Sequence, residues 1–387
     1  MKTDNKSRLV ALIIAISICL VRAYAEGNQY CGDLPIYKID GIAYTVQKEL
    51  PQDGEDVYLP EYLGAYVLPN DDKSVKYSGK IDIPSQIVID GEVYPVVGFI
   101  KLSEYGSDCE SEDLEINLPE GLKVIGSNLI SQYGRPRTKV KFFNIPNTVE
   151  YIIGIEYYVE DTTVVIPKSV KSIGYAAGVY GDNLIIEDGV TFCGMYSISC
   201  RNKALTLPGS VYMYEMSTYA PNLELLSIKK SADSNMSPSF ALYCFRYSYN
   251  IASIVCEYDV PPMAVNDAFR LEPSIDDPKY PGDDSVDGYN PGMYDRATLY
   301  VPKAAIEAYK ADAEWGRFEK ILAIEDNADI IKKLEGVDDI SADAAEVVAT
   351  EYYDLSGRRL EAPAERGITI TATIYSDGTR RCAKTVR

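Results

Sequence analysis

Histidine is absent from all 387 residues, and this one absence removes a wide range of chemistry. Ser-His-Asp and Cys-His catalysis, the His-Glu-x-x-His zinc motif and imidazole acid–base work all need that side chain. The chain also lacks a Gly-x-x-x-x-Gly-Lys phosphate loop and a Gly-x-Gly-x-x-Gly turn after a strand. Its eight cysteines are irregularly spaced and contain no Cys-x-x-Cys pair, so neither a zinc knuckle nor a disulfide framework is indicated. Cys193 with Cys200 is the candidate bridge in an oxidising compartment; the alternative is that the cysteines are small buried side chains. Positive charge is scarce: 38 Lys and Arg face 58 Asp and Glu, a net charge of −20. Such a surface repels nucleic-acid phosphates and anionic lipid, which excludes nucleic acid as a partner. A pair of carboxylates, as in glycoside hydrolysis, is the chemistry that survives, but nothing singles out two of the 58 acids. The expectation is a protein without enzymatic activity, cofactor or metal.

Long apolar runs are confined to the start. Lys2, Lys6 and Arg8 precede an apolar stretch from Val10 to Val21, and Ala23-Tyr24-Ala25 supplies a small-x-small cleavage pattern. Residues 1–25 therefore read as a signal peptide, with export to the cell surface or beyond. Ile18 stands where a lipoprotein signal needs a small residue before Cys19, which argues against lipidation. The mature chain has no stretch long enough for a transmembrane helix. Residues 1–25 carry four basic residues and one acidic, so their removal takes the net charge from −20 to −23.

What is present is a repeat. Short apolar runs end in proline at Ile81-Asp82-Ile83-Pro84, Ile116-Asn117-Leu118-Pro119, Phe143-Asn144-Ile145-Pro146, Val164-Val165-Ile166-Pro167 and Leu205-Thr206-Leu207-Pro208. Leu184-Ile185-Ile186-Glu187 and Leu226-Ser227-Ile228-Lys229 fill the same place without it. From Pro146 onward the slots fall at 146, 167, 187, 208 and 229, a period of 20 or 21 residues. Leu122-Lys123-Val124-Ile125-Gly126 and Val170-Lys171-Ser172-Ile173-Gly174 follow their slots. A strand this short cannot bury its apolar face alone, so successive copies must stack into a continuous core. Proline, lacking an amide donor, closes each strand, and Gly126 and Gly174 suit turns of positive φ. The period fits a leucine-rich repeat; a right-handed β-helix is the architectural alternative.

These motifs resemble the BspA-like leucine-rich-repeat proteins of Bacteroidetes, whose repeat runs approximately Ile-Pro-x-x-Val-x-x-Ile-Gly-x-x-Ala-Phe. Pro167-Lys168-Ser169-Val170-Lys171-Ser172-Ile173-Gly174-Tyr175-Ala176-Ala177 follows it to the last place, and Asn266-Asp267-Ala268-Phe269 keeps the Ala-Phe pair. Entry (Asp40-Gly41-Ile42-Ala43-Tyr44) and exit (Leu299-Tyr300-Val301-Pro302-Lys303) segments are similar too, so the resemblance covers about residues 39–325. It weakens over 186–250. The implied fold is a mainly β leucine-rich-repeat solenoid of short parallel strands, built from an N-terminal β cap (26–75), the repeat array with a C-terminal capping helix (76–325), a linker (326–350) and a small β tail (351–387). The tail resembles C-terminal modules of exported Bacteroidetes proteins, and its role is either sorting or that of a plain β module. The implied function is that of an exported, adhesin-like binding protein.

Lys303 to Ala313 is rich in helix formers and follows Pro302, as a helix start often does, and Trp315, Phe318 and Ile321 can cover the last coil. Asp377-Gly378 between strand-like runs signals a hairpin. Within 271–295, Asp283, Ser285, Asp287 and Gly288 mimic the first half of a calcium loop, but position twelve is Tyr294 in place of the bidentate Glu. A solvated acidic loop is the reading taken. Tyrosine is abundant, 32 copies against 8 Phe and 1 Trp, and it suits recognition surfaces because it couples a large apolar ring to a polar tip. Tyr212, Tyr214, Tyr219, Tyr243, Tyr247 and Tyr249 form the candidate binding set, although tyrosines also fit the aromatic slots of the repeat. The partner expected is a host or bacterial surface protein or matrix component. The alternative is a glycan, bound by an accessory protein or, more remotely, cleaved by a carboxylate pair.

Overall fold

A computed structural model describes residues 31, 34–49, 62–126, 138–153, 157–174, 179–265, 267–271, 292–327, 329–330, 332, 347–353, 359–360, 362, 368–375 and 380–386. The expected signal peptide, the calcium-like loop residues Asp283 to Gly288, Asp377-Gly378 and most of the acidic linker lie outside them. The chain divides into two units, 1–326 and 327–387.

The first unit is a mainly β solenoid of about eight turns. Each coil carries strands on up to three faces, and along the repeat array every pairing is parallel except the hairpin of Gln86–Ile89 with Glu92–Phe99. The proline-terminated runs form the first face. Leu205 and Leu207 stand opposite Leu226 and Ile228, which stand opposite Ile254 and Cys256. Alternate residues of each run point inward, and Ile166, Leu207, Ile228, Ile254 and Leu299 have no exposure at all. Ile83 is buried in the same core, and Ile145 packs against it. Burial at about 25 cal/mol per Å² of apolar surface is available only in the stack, because a lone coil would leave both flanks of these side chains wet.

Proline ends each run by starting a turn. The carbonyls of Pro146, Pro167 and Pro208 accept the amide three residues on, from Val149, Val170 and Val211. Where Glu187 replaces proline, its carboxylate accepts the Lys168 amide of the preceding coil at 2.9 Å; Glu257 does the same for Lys230. Two asparagines complete the ladder with their side chains. Asn202 accepts the Leu184 amide and donates to the Leu184 carbonyl (2.8 and 2.9 Å), and Asn144 does so for Leu118 (2.7 and 3.0 Å).

The turn leads into the second face, built from two-residue strands: Val124–Ile125, Tyr151–Ile152, Ser172–Ile173, Phe192–Cys193, Tyr212–Met213, Ser239–Phe240 and Met263–Ala264. Gly126 leaves it with φ +85°, as the turn reading required. Gly174 does not: it takes no positive φ, and a methyl group there would meet only ordinary contacts, about 3.5 Å from Ile153. That reading of Gly174 is corrected.

The corner into the third face explains the weak middle repeats. Tyr196, Met216, Tyr243 and Asp267, in four consecutive coils, all adopt left-handed φ of 52–63°, an unusual state for side chains other than glycine and asparagine. Each is followed by a small, fully buried residue, Ser197, Ser217, Cys244 or Ala268. The Ala268-Phe269 pair thus occupies a geometric slot, small then core-filling, that takes Ser or Cys first in the other coils. The third face follows: Thr138–Val140, the first parts of Tyr157–Ile166 and Val179–Ile186, then Ile198–Cys200 and Thr218–Tyr219. Strands on all three sides answer the architectural alternative: the coil shares three-sidedness with a β-helix while keeping the leucine-rich-repeat period.

The Cys193–Cys200 bridge is not formed. Both are free and buried, as are Cys31, Cys109, Cys244 and Cys256. Cys193 belongs to the second face, in register between Ile173 and Met213, and Cys200 to the third, opposite Gly181. Each fills its own sheet's core position, and burial pushes their thiols up to about 12 and about 11.

At the N-terminal end, Ile36–Ile39, Ile42–Gln47 and Gly64–Leu68 form an antiparallel meander that joins Glu92–Phe99 in parallel. The Asp40-Gly41 and Asp90-Gly91 turns have positive φ at both residues, the geometry that two-residue hairpins favour. At the other end, 3-10 turns at Lys303–Ala305 and Trp315–Arg317 flank a short helix, Ile306–Ala311. Trp315 is fully buried against Phe269, Phe240 and Tyr309, with ring centroids 4.7–5.9 Å apart, and its Nε1 donates to the Pro262 carbonyl at 2.7 Å. The second unit holds an antiparallel sheet of Val347–Tyr353, Arg359–Leu360, Ile368–Tyr375 and Arg380–Val386. Among the described residues, no helix is long and apolar enough to cross a membrane.

Candidate binding surface

The six candidate tyrosines do not form one site. Tyr212 and Tyr214 belong to the second face, where they cluster with Phe192 at centroid distances of 5.9–6.4 Å. Tyr219 belongs to the third face and contacts Tyr247 of the next coil at 5.6 Å, which in turn contacts Tyr249 at 6.4 Å. Tyr243 is a left-handed corner residue with the Arg270 guanidinium 5.8 Å from its ring. Tyr249 is buried, so it supports Tyr247 from beneath; Tyr219 is 46% exposed.

The third face gathers residues the sequence reading passed over. Lys139, Tyr158, Tyr180, Ser199 and Tyr219 occupy one register row over five coils. Tyr158 is only partly buried between the buried Tyr157 and Val159, and Ser199 likewise between Ile198 and Cys200, so Lys139, Tyr158, Ser199 and Tyr219 face outward. Arginine joins it. Arg201 directly follows Ile198–Cys200 and lies over Tyr158 at 5.6 Å, and Arg246 lies over Tyr247 at 5.1 Å while donating to the Tyr196 hydroxyl at 3.4 Å. Farther along, Arg317 stacks on Tyr294 at 4.0 Å and bonds Asp267 and Glu314 at 3.0 and 2.9 Å. Tyr294 itself is buried and donates to Glu314, a core role far from that of a calcium ligand. Every described arginine between residues 31 and 326 (201, 246, 270, 296 and 317) comes from the coils beyond residue 197, in or after the third-face segment. The signal that could have found this face is the recurrence of Arg two residues after the small slot at Cys244 and Ala268.

Among the described residues no group of three or more His, Cys, Asp or Glu could hold a metal ion. An open depression of about 420 Å³ lies on the N-terminal cap, lined by Gln47, Lys48, Leu63, Gly64, Glu92, Tyr94 and Pro95. Lys48 bridges it to Glu92 at 3.1 Å and lies 5.1 Å from the Tyr94 ring; the only charged groups lining it are thus paired with each other.

No sequence-family profile matches this chain, and no curated protein does. Among solved structures it is similar to a leucine-rich repeat protein from Bacteroides ovatus (14% identity, TM-score 0.32, covering 74% of this chain and 76% of that one). It is also similar to a leucine-rich cell surface protein from Faecalibacterium prausnitzii (14%, 0.30, 75% and 95%) and to the pneumococcal vaccine antigen PcpA (12%, 0.29, 75% and 98%). By its own coils, the chain is a leucine-rich-repeat solenoid of the kind that its BspA-like motifs imply.

Proposed function

We propose that this is an exported, adhesin-like binding protein that acts at or outside the cell surface without catalysing a reaction, and that its third face engages a host protein, matrix component or another bacterium's surface protein. The observation that carries this is the outward row of tyrosines overlain by arginines, Tyr158 with Arg201 and Tyr219–Tyr247 with Arg246. Tyrosine and arginine dominate the energetics of protein interfaces because they bring large, stiff contact area together with directional hydrogen bonding. The coil backbone fixes these side chains before binding, which lowers the ordering cost. The signal-peptide pattern of residues 1–25 and the absence of histidine support export and a non-catalytic role.

The test is an array of host, matrix and bacterial surface proteins probed with the mature chain. Tyr219→Ala, Tyr247→Ala and Arg246→Ala should each weaken the best hit by about tenfold or more, corresponding to about 1.4 kcal/mol. Undiminished binding by all three variants would remove the third face from the account. Release of product from any glycan by the purified chain would refute the absence of catalysis.

A further inference from the structure

The second face carries a different pattern, unused by the protein-binding reading and independent of it. Tyr151, Ser172, Phe192, Tyr212, Ser239 and Met263 are the first residues of successive two-residue strands and stand in one register row. Their strand partners Ile152, Ile173, Cys193, Met213 and Phe240 are buried, so the row looks outward, with Phe192 alone covered, at 9% exposure, beneath its ring neighbours. Rings occur at two stations. Tyr151 pairs with Tyr62 at 6.5 Å, and Phe192, Tyr212 and Tyr214 form the second group, in which Tyr214 is 37% exposed. Hydroxyls at Ser172 and Ser239 lie between and beyond the stations. From Tyr151 to Phe192 is two ladder steps and to Tyr212 three, roughly 10–14 Å at the usual strand spacing.

The charges beside the first station are committed to one another. Lys123 and Lys171, one coil to either side, both bond Glu150, Lys123 at 2.9 Å. On a chain of net charge −20 this strip therefore offers mainly rings and hydroxyls, with paired charges beside Tyr151 and the single carboxylate of Glu215 after Tyr214. Charged partners gain little from it, whereas pyranose rings present apolar C–H faces to aromatic rings and hydroxyls to serine and tyrosine. A ladder step is also close to the advance of one sugar along an extended β-linked chain, so a strand of two or three sugars reaches from one ring station to the other.

We propose that the second face is a binding platform for a neutral, extended β-linked polysaccharide, with Tyr151 at one station and Tyr212 and Tyr214 at the other. The experiment is depletion of the mature chain by insoluble β-1,4-glucan, β-1,3-glucan and chitin, at low and at high salt. At least one polymer should retain the protein at both salt concentrations. Tyr214→Ala and Tyr212→Ala should each reduce retention by about tenfold, Tyr214→Phe should preserve it, and Tyr219→Ala should leave it unchanged. Thermal unfolding of the variants guards against misfolding; Tyr214, being exposed, serves as the variant whose fold is least at risk. The proposal is overturned if none of the three polymers retains the chain, if retention survives Tyr214→Ala, or if it disappears at high salt. It is equally overturned if Tyr214→Ala instead abolishes capture of a protein on the array or a self-association seen by sedimentation.

Discussion

Single side chains do much of the joining between coils. The Asn202 amide replaces a piece of missing strand by pairing with both backbone groups of Leu184. Its replacement by alanine leaves those groups unmatched in a partly buried place, which costs about 1–3 kcal/mol each in such settings. Asn202→Ala should therefore lower the urea midpoint clearly, and Asn202→Asp, which keeps the acceptor alone, should fall between. Glu110 is a second case. It is buried, and its Oε1 accepts the Ser103 amide at 3.1 Å and the Tyr157 hydroxyl at 2.9 Å. Burial raises its pKa above the ordinary carboxylate value, an effect only partly opposed by these hydrogen bonds. An acid whose folded-state pKa is raised holds its proton more firmly when folded, so stability falls as pH climbs from the unfolded value of about 4.3 to the folded one. Glu110→Gln should match the wild type near pH 4 and gain on it toward neutrality; unfolding curves that run parallel from pH 4 to 7 would contradict this. The asparagine pairings were not legible in the sequence, because Asn144 and Asn202 gain their partners only from the preceding coil, 26 and 18 residues earlier.

At the scale of elements, strand and turn were readable where proline and glycine mark them, and the first face lies where the Ile-x-Ile-Pro runs placed it. The second and third faces were not, since strands of two or three residues have no period to detect. The middle repeats looked degenerate because their corner is defined by backbone shape. Tyr196, Met216, Tyr243 and Asp267 share φ, not chemistry. The candidate tyrosines were found individually but not assigned to faces, and the arginines that overlie them were missed. The C-terminal cap was legible because Trp315 is the sole tryptophan and follows a helix signal. Its removal should be severe: Trp315→Ala strips a fully buried ring from Phe269, Phe240 and Tyr309 and orphans the Pro262 carbonyl. The expected cost is about 3–5 kcal/mol. Hydrogen exchange should then show the coils around 253–301 opening before those around 164–207, because neighbour contacts carry solenoid stability and the loss enters from one end.

For the whole molecule, the same one-dimensional logic separates stability from recognition. The core runs down the middle of the stack, while the second and third faces present different chemistry to solvent, rings with paired charges on one and rings with arginine on the other. Variants on one face should leave binding through the other intact, and a double variant, Tyr214→Ala with Tyr219→Ala, should lose each kind of binding by no more than the corresponding single variant does. A mixed array scored for both protein capture and polysaccharide retention checks that independence. The Glu150 ladder adds a modest acid sensitivity. Hydrogen bonding to Lys171 first, then to Lys123, depresses its pKa, so its contribution is present above the ordinary carboxylate value and lost as pH falls through the folded one. Glu150→Gln should cost at most about 1 kcal/mol at neutral pH, as partly exposed pairs do.

The six buried thiols have a consequence for how such a chain matures. Cys244 sits in a slot that elsewhere takes serine or alanine, and Cys193 and Cys256 replace aliphatic side chains in the core rows. A sulfhydryl used as filler needs no oxidant to do its work and, once enclosed, meets none. Refolding of the mature chain should therefore give the same yield and the same melting temperature whether a reductant such as dithiothreitol is present or not. Cys244→Ala should fold normally where Cys244→Leu does not. A solenoid whose described cysteines are all filler is indifferent to the redox state of its surroundings, with no covalent cross-link to complete before its coils can stack.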